Sequence, residues 1–252
     1  MKYEIKTFKD EQISAKVEGR GNLDVKLRGS SYSDLFKAAA LKDAWDSQGI
    51  ENKGAWSKLT IYCLIGQRSD RRFEPNNSFD LKTIANFINS MKYDEVNLFH
   101  PHSDVSLALI DNSKRISHLP FVEKVYKELN HPILVSPDAG AFKASYEIAQ
   151  KLGADLVPSN KVRINEEPLI KIQGDVKNRD CLIIDDLADG GRTFINLAKE
   201  LKSQGAEKVF LYVSHGQFHY GFEEIKEWID HVYCTNSYRD IENEFVSQFK
   251  VI

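Results

Sequence analysis

The chain has 252 residues, of which 42% are hydrophobic and 28% charged, and its formal net charge is −3. This composition is typical of a folded globular protein and argues against a disordered chain. The slight acidic balance argues against broad binding to nucleic acid or to anionic membranes, which need a basic surface. The sequence has no apolar run near the roughly 20 residues of a membrane helix and no secretory signal at M-K-Y-E-I-K. We therefore expect a cytoplasmic protein.

Predicted helices alternate with short β-branched runs along the chain. In chain order, the predicted helices span 31–46, 79–91, 120–129, 141–152 and 193–203, and the predicted strands span 59–65, 95–99, 132–136, 154–157, 181–184 and 209–213. Solidly apolar strands separated by helices predict an α/β fold with a largely parallel sheet covered on both faces. The polar connector 111–118 predicts a boundary between one domain at 1–115 and a second at 116–252.

The cysteines are three in number, and they lie far apart in apolar, strand-like runs at Cys63, Cys181 and Cys234. The chain contains no C-x-x-C pair, so the pattern supports neither a zinc site nor a redox motif. Buried, reduced thiols are the simpler expectation.

Acids and glycines follow the predicted strand 181–184, and ligands of parallel sheets bind beyond the carboxyl ends of the strands. A carboxylate there accepts hydrogen bonds from a sugar diol, while glycines and a helix start direct backbone N–H groups at one anion. The alternative is an acidic helix cap, but three acids with two glycines favour a sugar-phosphate site. The candidate residues are Asp185, Asp186, Asp189, Gly190, Gly191, Arg192 and Thr193.

Polar residues also follow the other predicted strands. Asp138 and Gly140 follow the strand 132–136, and the H-P-H pair ending at His102 follows 95–99. Imidazoles can bind metal, although two histidines spaced in this way, with no other ligand nearby, more often lie in a loop that binds no metal. Three arginines in the segment 68–72 suit a nucleotide phosphate or form a solvated charge run.

Two cations, Lys161 and Arg163, follow the predicted strand 154–157 and are two residues apart, so they share a side of an extended segment. The next residues, 164–169, include Glu166, Glu167 and Pro168, a composition that predicts a mobile loop. Cations on such a loop can neutralise a transferring phosphoryl group.

Together these segments resemble the ribose-phosphate pyrophosphokinase (phosphoribosyl pyrophosphate synthetase) family from about Phe8 to Phe218. The best stretches are P-I-L-V-S-P-D-A-G and I-Q-G-D-V-K-N-R-D-C-L-I-I-D-D-L-A-D-G-G-R-T, and D-L-F-K-A-A-A-L-K-D-A and V-F-L-Y-V-S-H-G also fit. The resemblance implies two phosphoribosyltransferase-like (Rossmann-like) domains, each with a mostly parallel sheet flanked by helices. It implies transfer of the β,γ-diphosphate of Mg-ATP to the anomeric hydroxyl of ribose 5-phosphate, with release of AMP. The chain has no Walker A motif and no G-x-G-x-x-G.

The resemblance also assigns roles to individual residues. Lys161 and Arg163 match the catalytic loop, the acid-and-glycine segment matches the ribose-phosphate loop, and His102 and Asp138 match a Mg²⁺ site. The expected ATP-binding residues are Phe8, Asp10, Gln12, Arg68, Ser69, Asp70 and Arg71. In the family, the segment that Phe8 begins reaches a neighbouring subunit, so we expect a homo-oligomer with a shared active site.

The ribose-phosphate loop departs from the family sequence Asp-Thr-Gly-Gly-Thr. A hydroxyl is lost at Gly190 and a cation is gained at Arg192. These changes predict a different group on the 5-carbon of the acceptor, as in ADP-ribose. The family's first strand and helix have no counterpart before Met1, nor its last helix after Ile252, which predicts a chain trimmed at both ends and without the family's regulatory surface.

Two other functions stay open at this stage. A phosphoribosyltransferase that consumes the activated sugar shares the acid-and-glycine loop, but it needs neither the arginine block near Asp70 nor the Lys-x-Arg loop. A catalytically inactive regulatory homologue is the other alternative, and the joint presence of Lys161, Arg163, His102, Asp138 and Asp185 argues against it.

Overall fold

The computed structural model describes residues 1–49, 53–164 and 167–252. They form two compact units, Met1–Ser117 together with Ile252 (unit one) and His118–Val251 (unit two). None of the described helices is long and apolar enough to cross a membrane.

Unit one is a parallel sheet of strand order β3-β4-β5-β6, accompanied by an antiparallel β1-β2 hairpin. The hairpin packs on the core of this unit through Ile5, Ala15 and Val17. The elements are β1 (Lys2–Thr7), β2 (Ile13–Glu18), β3 (Leu23–Leu27), α1 (Tyr32–Asp46), β4 (Ser57–Ile61), α2 (Asp80–Ser90), β5 (Glu95–Phe99), α3 (Val105–Leu109) and β6 (Ser113–Ile116).

Helix α1 begins where the sequence predicts it, because Ser31 is its N-cap residue. The Ser31 Oγ accepts a hydrogen bond from the backbone N–H of Asp34 at 3.1 Å, which satisfies one of the free donors of the first turn. The helix buries Leu35, Leu41 and Trp45 at helical spacing. The predicted apolar side of this helix is therefore confirmed.

Unit two is a seven-stranded sheet of order β13-β12-β11-β10-β7-β8-β9, in which β8 and β9 pair antiparallel and the other neighbours pair parallel. Cys181 and Ile183 of β10 join one core cluster and Leu182 and Ile184 the other, because alternate residues face opposite sides. The elements are α4 (Leu119–Glu128), β7 (Ile133–Ser136), α5 (Phe142–Leu152), β8 (Leu156–Ile164), β9 (Glu167–Ile172), β10 (Cys181–Ala188), α6 (Arg192–Ser203), β11 (Val209–Gly216), α7 (Glu223–Lys226), β12 (His231–Thr235) and β13 (Val246–Phe249).

The structure corrects several predicted elements. The connector 111–118 contains a strand, β6, which pairs with β5. Of the loop predicted over 164–169, Ile164 is the last residue of β8 and 167–169 belong to β9, and Asn165 and Glu166 lie outside the described residues. Strands β8, β10 and β11 run further than predicted, whereas β4 ends at Ile61 because the next residues turn to bond the end of β3.

The thiols of Cys63, Cys181 and Cys234 are buried and form no disulfide. Burial raises the pKa of Cys181 to about 11 and that of Cys234 to about 12, so both are protonated near neutral pH and poorly reactive. Cys63 lies just past β4 rather than within a strand.

Candidate functional site

The predicted sugar-phosphate residues lie at one edge of the unit-two sheet. Strands β7, β10, β11 and β12 run parallel, so their carboxyl ends share that edge. Asp138 follows β7, the acid-and-glycine segment includes the end of β10, and two further polar segments follow β11 and β12. The sheet thus collects polar groups from four connections at one edge.

The first two acids of the segment, Asp185 and Asp186, are half-buried within β10. The Asp185 Oδ1 accepts a hydrogen bond from the backbone N–H of Asp186 at 2.9 Å. Burial raises the pKa of the Asp185 carboxyl well above its usual range, and the negative charges of Asp186 and then Asp138 raise it further. Repulsion among these carboxylates marks a place where a cation or hydroxyl donors would be stabilised.

Asp138 is exposed at the end of β7 and is held by its own turn. Its Oδ1 accepts the backbone N–H of Ala141 at 2.9 Å, and its carbonyl accepts the Ser136 hydroxyl at 2.9 Å. The Ser159 hydroxyl lies 2.8 Å from the carbonyl oxygens of both Ser136 and Pro137, so β8 fixes the same turn.

Gly191 is the N-cap residue of α6 and has a left-handed backbone with φ of 77°. No side chain caps this helix start, which leaves the N–H groups of its first turn to meet an anion. A Cβ atom at position 191 would lie 2.8 Å from Cδ1 of Ile225. The backbone angle therefore favours glycine here, and an added Cβ would also displace the end of the buried Ile225 side chain.

The substitution Gly191→Ala is expected to destabilise the protein by about 2–5 kcal/mol, since left-handed strain costs about 1–2 kcal/mol and overpacking about 1–3 kcal/mol. Gly221→Ala is the matched control, because Gly221 has φ of 76° with nothing within 4 Å of an added Cβ. It should lose only the strain, about 1–2 kcal/mol. Urea unfolding measures both, and equal losses would show that the contact with Ile225 is unimportant.

Two residues that the sequence did not identify hold the third acid, Asp189. The His219 Nδ1 lies 2.6 Å from Asp189 Oδ1, and the His219 Nε2 lies 3.0 Å from the Tyr238 hydroxyl. Because a carboxylate only accepts hydrogen bonds, the imidazole donates from Nδ1, and in its neutral form it accepts from Tyr238. No spacing rule connects these three residues, which come from three connections of the sheet.

Arg192 and Thr193 begin α6 and are exposed, while Gly190 is half-buried. The structure therefore brings all seven predicted residues of the acid-and-glycine segment to one strand end and one helix start.

Lys161 and Arg163 lie on β8, opposite Ile170 and Pro168 of β9. They occupy alternate positions of one strand, as the extended segment predicted. The hairpin continues from the part of β8 that pairs with β7 beside Asp138.

In unit one, four of the seven predicted ATP-binding residues lie in the connection after β4, and His102 follows β5. Arg68 and Arg71 are exposed and Ser69 and Asp70 half-exposed. The Gln67 side chain, 3% exposed, accepts the backbone N–H of His102 at 3.1 Å and so joins the two connections. No motif in the sequence indicates a role for Gln67, which directly precedes the arginine segment 68–72.

The segment that contains Phe8, Asp10 and Gln12 forms the turn of the β1-β2 hairpin. The backbone N–H of Phe8 donates to the Gln12 carbonyl at 2.8 Å, and the backbone N–H of Gln12 donates to Asp10 Oδ1 at 3.2 Å. Phe8 is 40% exposed and lies under the Lys6 ammonium. The turn therefore presents an aromatic ring and a carboxylate at the surface.

Comparison with known proteins identifies the family of the chain. The family model for the phosphoribosyl transferase domain matches residues 120–251. Ribose-phosphate pyrophosphokinase from Pyrococcus abyssi is 26% identical over 242 residues, which are 93% of this chain and 83% of that protein. The enzyme of the same name from Mycoplasma genitalium is 32% identical over 73% of this chain and 59% of its own length. Phosphoribosylpyrophosphate synthetase from Mycobacterium smegmatis shares the fold, with a TM-score of 0.82 and 18% identity over 99% of this chain and 86% of that structure.

The chain belongs to the phosphoribosyl transferase domain family. Within it, the chain is a member of the ribose-phosphate pyrophosphokinases, a group of diphosphate-transferring enzymes. The resemblance and the α/β fold class predicted from the sequence are thereby confirmed.

Proposed function

We propose that the protein is an ATP-dependent diphosphokinase that acts on ribose 5-phosphate or a 5-substituted relative such as ADP-ribose. The oxygen of the anomeric 1-hydroxyl attacks the β-phosphorus of ATP, the bond from that phosphorus to the oxygen bridging the α-phosphorus breaks, and AMP leaves with the bridging oxygen. The hydroxyl proton passes to solvent. This proposal rests on one observation: the Asp185 carboxylate near the end of β10 is followed in the same segment by the N-terminus of α6, which no side chain caps.

The acceptor sugar would bind through this segment. The Asp185 and Asp186 carboxylates would accept hydrogen bonds from the ribose diol, which would offset the repulsion that disfavours the ionised form of Asp185. The first-turn N–H groups after Gly191 would bind the group on the 5-carbon. The His219 and Tyr238 contacts would keep the Asp189 carboxylate oriented.

The carboxylates also fit a magnesium ion. Within the described residues, no three His, Cys, Asp or Glu side chains form a group that could hold a metal by themselves. Mg²⁺ usually takes only one or two carboxylates together with substrate phosphates and water, so Asp138, which the resemblance assigns to a Mg²⁺ site, would suffice together with Asp185. Bound there, the ion would neutralise charge on the transferring diphosphate.

The β8-β9 hairpin would supply the remaining cations. Phosphoryl transfer passes through a loose transition state in which positioning and charge neutralisation dominate. Lys161 and Arg163, at alternate positions of β8, would bind the diphosphate as negative charge shifts to the leaving oxygen.

Unit one would bind ATP. The exposed arginines Arg68 and Arg71 suit phosphate oxygens, with Ser69 and Asp70 between them in the same turn. The exposed Phe8 ring and the Asp10 carboxylate on the hairpin turn suit an adenine base. In a homo-oligomer that base would belong to the neighbouring subunit's ATP, and the oligomer and the cytoplasmic location stay predictions.

The identity of the acceptor rests on Gly190 and Arg192. Compared with the family sequence, this loop has one hydroxyl fewer and one cation more, which suits an anionic group longer than a terminal phosphate. We expect AMP release from Mg-ATP to be faster, at equal subsaturating concentrations, with ADP-ribose than with ribose 5-phosphate. Faster turnover of ribose 5-phosphate would rule out ADP-ribose specificity and leave the diphosphokinase proposal standing.

A phosphoribosyltransferase is the second candidate, and the family match over residues 120–251 favours it. Such an enzyme would consume an activated sugar and release diphosphate without ATP. AMP production that depends on both ATP and the acceptor separates the two functions.

A further inference from the structure

Tyr220 presents its ring to solvent beside the predicted ribose-phosphate loop. It lies between β11 and α7 and is 87% exposed, the highest value among the large hydrophobic side chains of the described residues. A Cβ atom at position 190 would lie 3.0 Å from both Cδ2 and Cε2 of the Tyr220 ring. The ring therefore lies directly against Gly190.

The exposure of Tyr220 is not the result of a loose connection. Its neighbours Phe218 and Phe222 are 1% and 8% exposed, with ring centroids 4.9 Å apart. The Arg239 guanidinium donates to the Phe218 carbonyl at 3.0 Å, and the His219 backbone N–H donates to the Asp189 carbonyl at 3.2 Å. A backbone fixed on both sides of position 220 thus holds one aromatic ring out of the core.

The glycine at position 190 is explained by this ring rather than by the backbone. Gly191 has a left-handed φ, whereas Gly190 does not, so its backbone does not demand glycine. What a side chain at 190 would meet is the Tyr220 ring. Glycine at position 190 therefore has two effects: it removes the hydroxyl that the family has at this position, and it lets the Tyr220 ring approach the loop.

A cation lies at the end of the same loop. Arg192 is exposed at the start of α6, two residues after Gly190. No carboxylate in the described part of the chain forms an ion pair with its guanidinium. The loop therefore carries an aromatic face and an unpaired guanidinium next to helix N–H groups, which are the groups that bind a base and a diphosphate.

We propose that the Tyr220 ring is the stacking surface for the purine base of a nucleoside diphosphate attached to the 5-carbon of the acceptor sugar, with Arg192 on its diphosphate. This proposal rests on the proposed function and assigns its acceptor specificity to one side chain. Every base has a π-face, and aromatic stacking of a base changes affinity by about 5- to 150-fold per residue.

Isothermal titration calorimetry of the intact protein, with ADP-ribose and separately with ribose 5-phosphate, tests the proposal. Tyr220→Ala should weaken ADP-ribose binding by about 10- to 100-fold and leave ribose 5-phosphate binding unchanged within about twofold. Tyr220→Phe keeps the π-face and should bind ADP-ribose like the wild type. Tyr32→Ala is the matched control, because Tyr32 is also an exposed tyrosine, at 68%, but in unit one.

Equal ADP-ribose affinity in Tyr220→Ala and the wild type would overturn the stacking proposal, whatever the catalytic result. So would a changed oligomeric state of Tyr220→Ala with unchanged ADP-ribose affinity, since the ring would then serve a protein contact. Wild-type protein that binds ADP-ribose through Tyr220 but forms no AMP from ATP would leave the stacking surface standing and contradict the proposed diphosphokinase function.

Discussion

Replacing Lys161 with alanine is expected to lower the rate of AMP formation by about 1,000-fold, since cations that stabilise a transferring phosphoryl group contribute on the order of 10³-fold or more. The loss should appear in kcat, because the charge matters most in the transition state. The fold should persist, since position 161 pairs with Ile170 through the backbone of the hairpin. AMP release and thermal unfolding of the same preparation measure both.

Lys171→Ala is the matched control for Lys161. Lys171 belongs to the other strand of the same hairpin, opposite Asn160, and is exposed, so the control removes one positive charge from the same element. We expect its activity to stay within about twofold of the wild type. Near-normal activity of Lys161→Ala would remove this residue from the reaction.

Replacing Asp185 with asparagine should produce a more stable but less active protein. Loss of charge-assisted hydrogen bonds to the ribose should lower kcat/KM by about 10- to 100-fold. The folded-state pKa of the Asp185 carboxyl is raised by burial and by the charges of Asp186 and Asp138, so its ionised form destabilises the fold. Asparagine removes that charge.

The pH dependence of this difference has a definite sign. A carboxyl whose pKa is higher in the folded state binds more protons folded than unfolded, so the stability of the wild type falls as pH rises from the unfolded pKa, about 4, through the raised folded pKa. Asp185→Asn should therefore match the wild type below about pH 4 and exceed it near pH 8 in thermal unfolding. Glu227→Gln, at an exposed carboxyl of unit two, is the control, and we expect it to show no gain in stability near pH 8. A less stable Asp185→Asn at pH 8 would contradict the account.

The predicted elements that the structure confirms are those with strong local signals. Helix α5 ends at Gly153, whose left-handed φ of 62° makes it a C-cap residue, and β5 spans the predicted residues 95–99. Ile133–Ser136 and the start of β10 were apolar enough to be identified as buried strands. In each case the information lies within a few consecutive residues.

The elements that the sequence did not reveal depend on distant pairing. The β1-β2 hairpin is mostly exposed, so it lacks the solid apolar run that marked the other strands. Strand β9 exists because it pairs with the extension of β8, and β13 because it pairs with β12. Register between strands is a property of two segments at once, so periodicity in one segment cannot predict it.

The same limit applies to the site. Residues that follow a strand could be identified from the sequence, because parallel strands bring their carboxyl ends together. The contact of His219 with Asp189 and Tyr238, and that of Tyr220 with Gly190, join connections 19 to 30 residues apart. Single polar and aromatic residues in loops carry no periodic signal, so these partners required the structure.

The central claim is that a diphosphate, not a single phosphate or a sugar, is transferred. Mass spectrometry of the products from Mg-ATP with ribose 5-phosphate or ADP-ribose tests it most directly. The account predicts AMP and, in equal amount, an acceptor heavier by one diphosphate group. Formation of ADP with an acceptor heavier by a single phosphate, or no AMP with either acceptor, would contradict it.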